Sequence, residues 1–416
     1  LIFALGLRLG MSRLASFLAG IMLITGAQFF SNARTCMVDS LLAFFVLLAF
    51  YGAATMFFSG RSRVRMLGFW LYAAGLGGGV FTKGLIGLAM PGAALGVFLL
   101  LDDWHSRKFQ YQRYLLLALG VLPALIPVAV WCRLLYLDQG GDALHTVLWV
   151  NNFGRFSGSQ GDHLSPFYYY LAKLPAQFMP YLFLLPFGIW YSWKAKDGSG
   201  RFLLAFLLVP YLLLTMASSK RQVYLLPLYA PAALLAARYL VTLLHSGKPW
   251  VATVLRLGFL VLGGLLAAAG LAAAVIPGGK AHFFPIMACV LAIAALAGRR
   301  DPVRRLWALL FSYAFLYASI DGAVLSRQNR MESLREAFAI CGKSELPVYL
   351  INPPERTRGA AYFYLGRALP IKMLEDYDGV TPELWLVRDK RSTVGLKVGD
   401  GHRLWTMPGD REKAKK

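Results

Sequence analysis

Four short segments set polar, chemically capable side chains into an otherwise apolar chain. The run ARTCMVD, residues 33–39, places Arg34 shortly before Asp39. FTKGLIG, residues 81–87, holds one lysine, Lys83, between apolar runs. WVNNFGRF, residues 149–156, supplies Arg155 and is followed by His163 and the aromatic cluster Phe167, Tyr168, Tyr169 and Tyr170. SSKRQVYLLP, residues 218–227, opens with the adjacent cations Lys220 and Arg221 and continues to Tyr224. Guanidinium and ammonium groups in such places suit phosphate oxygens, Arg through its planar fork of donors. A carboxylate beside them can orient an acceptor or take its proton.

Each feature also has a plainer reading. Asp39 near a helix start complements the helix dipole. Lys83 and the Lys220–Arg221 pair can snorkel to a membrane interface. Tyr168 and Tyr169 fit an interfacial aromatic belt. His163 is a candidate ligand for a divalent metal, but a single histidine carries little. The chain holds no GxxxxGK[ST], GxSxG or HExxH signature, so nothing marks a P-loop, a serine nucleophile elbow or a zincin.

The elements that must position these residues are membrane helices. Of 416 residues 57% are hydrophobic and only 15% charged, with mean hydropathy +0.54. A soluble domain carries about 25% charged residues, and a span needs roughly 20 apolar residues. Spans are expected at 14–31, 40–59, 67–82, 84–101, 114–135, 166–192, 202–217, 222–241, 251–276, 282–298 and 304–323. With the apolar stretch Leu1–Leu7, that predicts about twelve helices. This stretch is too short to span and reads as the end of a helix begun upstream, so the chain is expected to be an N-terminally incomplete copy. The glycines at 75, 77–79 and 84 interrupt 67–101, which membrane helices tolerate.

The net charge of +22 sits largely at helix ends. Connections at alternate ends hold 18 Lys and Arg: Arg8, Arg13; Arg61, Arg63, Arg65; Arg107, Lys108, Arg113; Lys194, Lys196, Arg201; Arg238, Lys248, Arg256; and Arg299, Arg300, Arg304, Arg305. The opposite connections hold 7: Arg34, Lys83, Arg133, Arg155, Lys220, Arg221 and Lys280. By the positive-inside rule the first set is cytoplasmic. Orientation thus accounts for the cations without nucleic acid, which is not an expected partner. The chemically capable segments fall together on the outward side, the periplasm of a Gram-negative cell. There, cations break the orientation rule and mark functional positions.

Residues 1–325 are expected to form the membrane domain. Residues 326–416 change character, with 17 Lys and Arg and alternating helix and strand patterns. Ser333–Ile340 reads as a helix, and Pro347–Ile351 and Leu384–Val387 as short buried strands. This predicts a small extracytoplasmic α/β domain. Cys36, Cys132, Cys289 and Cys341 show no CxxC spacing, so neither a zinc site nor a disulfide framework is indicated.

The segments ARTCMVDSLLAFF (33–45), FTKGLIGLAMPG (81–92), NNFGRFSG with His163 and PFYYYL (151–171) and SSKRQVYLLPLYAP (218–231) resemble the bacterial lipid A aminoarabinose transferase family. That family lies in the wider group that includes protein O-mannosyltransferases. The resemblance covers about residues 1–325 and implies an all-α, polytopic GT-C type glycosyltransferase of the bacterial inner membrane. Such enzymes move a sugar from a polyprenyl phosphate to an acceptor outside the cytoplasm, with inversion. It further implies an undecaprenyl-phosphate-linked donor, with 4-amino-4-deoxy-L-arabinose as the candidate sugar, and lipid A or another envelope lipid or protein as acceptor. No organic cofactor is implied, and a divalent metal stays open.

Asp39 matches the acidic position of the second outer loop and takes the catalytic role. Lys83, Arg155, Lys220 and Arg221 take the donor phosphate. Arg34, His163, Tyr168, Tyr169 and Tyr224 line the sugar and lipid pocket. Relatives in this family tend to carry Glu-His where this chain has Asn151 and Asn152, a departure that bears on metal binding and on lipid A as acceptor. A protein O-glycosyltransferase of the same fold, or a transporter of lipid-linked sugars, remains an alternative. The transporter predicts an internal repeat and ionisable residues at mid-membrane.

Overall fold

The computed structural model describes residues 1–33, 37–154, 165–178, 181–275, 280–297, 304, 307, 310–311, 334–351, 353, 355–373, 384–388, 396–397 and 402–406. It divides into two compact units: residues 1–274 with 283–317, and residues 275–282 with 318–416.

The first unit is helical: α1 (Ile2–Arg8), α2 (Arg13–Thr25), α3 (Ala27–Ala33), α4 (Val38–Phe57), α5 (Ser62–Lys83), α6 (Ile86–Ser106), α7 (Tyr111–His145), α8 (Tyr169–Gln177), α9 (Leu185–Ala195), α10 (Gly198–Met216), α11 (Tyr229–His245), α12 (Pro249–Val275) and α13 (Lys280–Ala297). Wide π-helical turns continue α7 over Thr146–Gly154, and 3-10 turns occupy Tyr181–Leu184 and Gln222–Leu228. Among the described residues seven helices are long and apolar enough to cross a membrane, or eight if the bent pair α2–α3 is one span.

Several expected spans therefore take a different form. The stretch 14–31 is not straight: the chain is extended at Gly26, and α2 and α3 meet at 66°. The stretch 166–192 is broken into α8, a 3-10 turn and α9, with Pro186 at the start of α9, where its missing N–H costs nothing. The expected span 304–323 lies mostly outside the described residues. Hydropathy averages over such breaks because both halves are apolar.

The surface of this unit is apolar, as a chain solvated by lipid requires. On α7, Leu115, Leu119, Leu122, Ile126, Val130, Leu134 and Leu137 recur every three or four residues and are all exposed. The opposite face buries Leu117, Gly120 and Ala124. This inverts the soluble pattern, and the molecule is a multi-pass membrane protein.

Small residues allow close packing between helices, which in a bilayer rests on dispersion rather than on hydrophobic burial. A Cβ on Gly75 of α5 would lie 2.4 Å from the Ala49 backbone nitrogen of α4. Phe50 of α4 stacks on Phe206 of α10 with ring centroids 3.4 Å apart.

The loop ends assigned to the cytoplasm meet one another. Asp102 accepts from Arg113 at 2.7 Å and from Arg201 at 2.6 Å, joining the ends of α6, α7 and α10. Arg238 of α11 pairs with Asp197, which caps the start of α10.

The second unit holds α14 (Arg335–Lys343), α15 (Glu355–Leu365) and five strands: β1 (Val348–Ile351), β2 (Ile371–Lys372), β3 (Leu384–Arg388), β4 (Leu396–Lys397) and β5 (His402–Thr406). The sheet order is β2-β1-β3-β5-β4, parallel from β2 to β3 and antiparallel beyond. Val348 and Leu350 of β1 and Leu384 and Leu386 of β3 alternate inward and pack with Leu334, Ala337, Phe338 and Cys341 at one face of α14. The helix and both strands expected from the sequence form within two or three residues of their predicted bounds.

Candidate active site

α4 begins at Val38 with no side-chain cap, and Asp39 in its first turn is 5% exposed. A buried carboxylate needs a partner. It has one: Lys83, the last residue of α5, makes an ion pair with the Asp39 carboxylate. The Lys83 ammonium also lies 4.0 Å from the centroid of the Tyr224 ring, an arrangement the ring quadrupole favours. Three segments expected on one face thus converge on a single lysine.

Gly84 ends α5 at φ 68 and ψ −148, a region essentially reserved for glycine. The next residue, Leu85, donates its N–H to Asn152 Oδ1 at 2.8 Å. Asn152 stands in the π-helical turns after α7, and its amide nitrogen donates to Val147 O at 2.9 Å and Leu148 O at 3.1 Å.

The fourth segment is tied to the stretch that precedes α8. Lys220 is 5% exposed and donates to Ala217 O at 2.6 Å and Ser165 O at 3.0 Å. Ser165 N–H donates to Ser218 O at 3.3 Å, so the stretches before α8 and after α10 are tied together. Burial draws the Lys220 ammonium below the ordinary lysine pKa. Arg221 is exposed, and its carbonyl accepts from Tyr224 N–H at 3.1 Å, the first turn of the 3-10 segment. That segment packs against α4.

The structure therefore brings together Asp39, Lys83 and Tyr224, and fixes Lys220 and Arg221 in the turn that carries Tyr224. Tyr168 is 55% exposed, and Tyr169 is half-buried. Arg34, Arg155 and His163 lie outside the described residues, as does any metal site built on His163. Among the described residues no cluster of three His, Cys, Asp or Glu could hold a metal ion.

Two residues were missed in the sequence. Tyr170 is fully buried, with its phenol set against the Arg221 backbone and Tyr224. Its signal was helical spacing, since Tyr170, Leu174 and Gln177 share the inward face of α8. Asn152 was read only as a departure. No periodicity signals its role, because its bonds depend on π-helical geometry and on a residue 67 positions away.

An apolar cavity of about 200 Å³ is lined by Leu225, which follows Tyr224 in the chain, by Leu171, which follows Tyr170, and by Leu174 and Tyr229 among others. Deeper, Tyr229 donates to Gln177 Oε1 at 2.8 Å, and the Tyr181 and Thr25 hydroxyls are 2.6 Å apart. These bonds fix α8, α11 and the Tyr181–Leu184 turn around it.

Residues 1–133 match the family model described as dolichyl-phosphate-mannose-protein mannosyltransferase. An undecaprenyl phosphate-alpha-4-amino-4-deoxy-L-arabinose arabinosyl transferase of Aeromonas hydrophila subsp. hydrophila is 29% identical over 250 residues, which are 60% of this chain and 45% of that protein. The enzyme of the same name from Aeromonas salmonicida is 30% identical over 249 residues, 58% of this chain and 44% of that protein. The alignments thus span less than half the length of these relatives. The crystal structure of ArnT from Cupriavidus metallidurans bound to undecaprenyl phosphate superposes with a TM-score of 0.75 at 16% identity, over 98% of this chain and 82% of that chain. The likeness shows the fold: a GT-C type membrane architecture, as the four segments implied. The resemblance to aminoarabinose transferases read from those segments is likewise met by these relatives.

Proposed function

We propose that this protein is a membrane glycosyltransferase that moves a sugar from undecaprenyl phosphate to lipid A or another envelope acceptor, with inversion at the anomeric carbon. The observation that carries it is the convergence of Asp39, Lys83 and Tyr224, with the residue after Tyr224 lining an apolar cavity. A phosphate head group needs cations in a poorly hydrated setting, and a polyprenyl chain needs apolar space next to them. The relatives named for a 4-amino-4-deoxy-L-arabinose transfer point to that sugar.

In the proposed reaction an acceptor oxygen attacks the anomeric carbon from the face opposite the donor phosphate. The bond from that carbon to the phosphate oxygen breaks, and undecaprenyl phosphate leaves with the electron pair. Lys83, Lys220, Arg221 and Arg155 stabilise the charge on the leaving phosphate, an effect strengthened by low local dielectric. Asp39 orients the acceptor and takes its proton where the acceptor is a hydroxyl; an acceptor phosphate is already anionic and needs little base. Arg34, His163, Tyr168, Tyr169 and Tyr224 border the sugar. We place the protein in the inner membrane with this site, and a C-terminal α/β domain of residues 326–416, facing the periplasm.

A protein acceptor is the second reading, favoured by the mannosyltransferase family match over residues 1–133. Incubating the protein with radiolabelled undecaprenyl-phosphate aminoarabinose and an outer-membrane fraction tests both. Label in lipid A supports the first reading and label in protein the second. Label that stays on the donor, with a known transferase active in parallel, overturns the proposal.

A further inference from the structure

The turn that presents Lys83 is held from a distance, and the contact is built on a residue whose role no motif discloses. Gly84 is constrained twice: its φ of 68 excludes ordinary side chains, and a Cβ there would lie 2.2 Å from Asn152 Oδ1. The Asn152 oxygen occupies the space that the missing side chain leaves. It accepts the Leu85 N–H at 2.8 Å, one of the donors left without a helical partner where α6 begins. Both amide hydrogens go to carbonyls of its own segment, Val147 at 2.9 Å and Leu148 at 3.1 Å. The amide is therefore oriented: turning it over would set its NH2 against the Leu85 N–H and its oxygen against two carbonyls. Wide π-helical turns in membrane and soluble helices recur at functional sites, and here such a turn aims one amide at the residue pair that follows Lys83.

We infer that Asn152 is a positioning residue, a clamp that fixes the Lys83–Gly84–Leu85 turn and so holds the Lys83 ammonium between Asp39 and Tyr224. The inference deepens the proposed function and rests on it only for the ligand, the phosphate of the lipid donor. Asn152 touches no reacting atom in this scheme and acts through Lys83. Losing the clamp removes one long-range hydrogen bond and leaves a polar turn unsatisfied, which should weaken donor phosphate binding about five- to tenfold.

The test uses the protein in nanodiscs with undecaprenyl phosphate as binding probe, comparing wild type, Asn152→Leu, Asn152→Asp, Lys83→Met and the double variant Asn152→Leu with Lys83→Met. Both Asn152 variants should weaken probe binding and raise KM for the donor while KM for the acceptor stays unchanged. Asn152→Asp keeps an acceptor for the Leu85 N–H but sets its second oxygen against the Val147 and Leu148 carbonyls, so it should lose about as much as Asn152→Leu. In the Lys83→Met background Asn152→Leu should add nothing; a full additional loss there would show that Asn152 acts independently of Lys83 and overturn the inference. A second readout needs no lipid: amine-reactive labelling of Lys83, followed by mass spectrometry, should accelerate several-fold in Asn152→Leu. Unchanged labelling overturns the clamp. If wild type fails to bind the probe while Asn152→Leu still speeds labelling, the donor assignment falls and the clamp stands.

Discussion

Lys220 and Lys83 both belong to the connections expected to face outward, yet their surroundings differ. Lys83 meets a carboxylate and an aromatic face, whereas Lys220 is sunk among backbone carbonyls. Burial disfavours the charged form of Lys220 and lowers its pKa. As pH rises its charge is lost before that of an ordinary lysine, near 10.4. If it serves the donor phosphate, the alkaline limb of donor binding begins below that value and moves up in Lys220→Arg, whose guanidinium stays charged. The stability sign is opposite: between the lowered and the ordinary pKa the unfolded chain holds more protons, so stability rises with pH across that window. A thermal melt in detergent against pH should show the rise and lose it in Lys220→Met. At the ion pair the two partners separate by role. Asp39→Asn should keep donor affinity within about twofold while turnover to a hydroxyl acceptor falls roughly 10²-fold or more. Lys83→Ala should instead lose donor binding. Identical binding losses in both would mean that the pair serves only to hold the helices.

At the scale of the elements, small residues decide how closely helices approach and hence which polar groups meet. Asp39 and Lys83 lie 44 positions apart, and α4 and α5 bring them together by packing backbone against backbone near Gly75 and Ala49. Gly75→Val should displace α5, costing roughly 1–3 kcal/mol of stability from overpacking and weakening donor binding through Lys83. Gly92→Val on α6, where nothing lies within 4 Å of a new Cβ, should change neither. Equal melting temperatures for the two variants would refute this account of the packing. The same dependence explains what could be read in the sequence. Asp39, Lys83, Lys220 and Tyr224 stood out because polar groups are costly among apolar helices. Their partners did not, since contact between distant segments follows from packing that no local pattern states. Tyr170 was hidden among three tyrosines until the register of α8 selected the inward one. The spans α4, α5 and α6 were legible from hydropathy because each is one long apolar helix, and so was the part of α7 that precedes its kink at Gly140. The bend at Gly26 and the broken stretch 166–192 were not, because a sliding average sees composition and not the direction of the chain.

At the scale of the molecule, charge and contact tell the same story by independent routes. The loops rich in Lys and Arg were assigned to one side by counting, and in the structure those ends are joined by Asp102 with Arg113 and Arg201, and by Asp197 with Arg238. At Asp197 burial pushes the pKa up, but the Arg238 hydrogen bond and the Gly200 N–H outweigh it and hold the carboxyl below the ordinary range. The chemically capable segments gather at the other ends of the same helices: α4 runs from Asp39 to Phe57, and Phe57 lies 4.9 Å from the Arg113 guanidinium. A helix of 20 residues rises about 30 Å, the thickness of a bilayer core, so the two groups must face opposite compartments. Sidedness can therefore be measured without knowing the substrate. Lys108 and Phe167 are exposed at opposite ends of the unit. In intact cells, a membrane-impermeant maleimide should label Phe167→Cys and spare Lys108→Cys until the membrane is opened, with Cys36, Cys132, Cys289 and Cys341 replaced by serine. The reverse pattern would turn the site to the cytoplasm and overturn its proposed placement in the periplasm. Equal labelling of both would break the assignment of the two ends altogether, and with it the argument that outward cations mark the site.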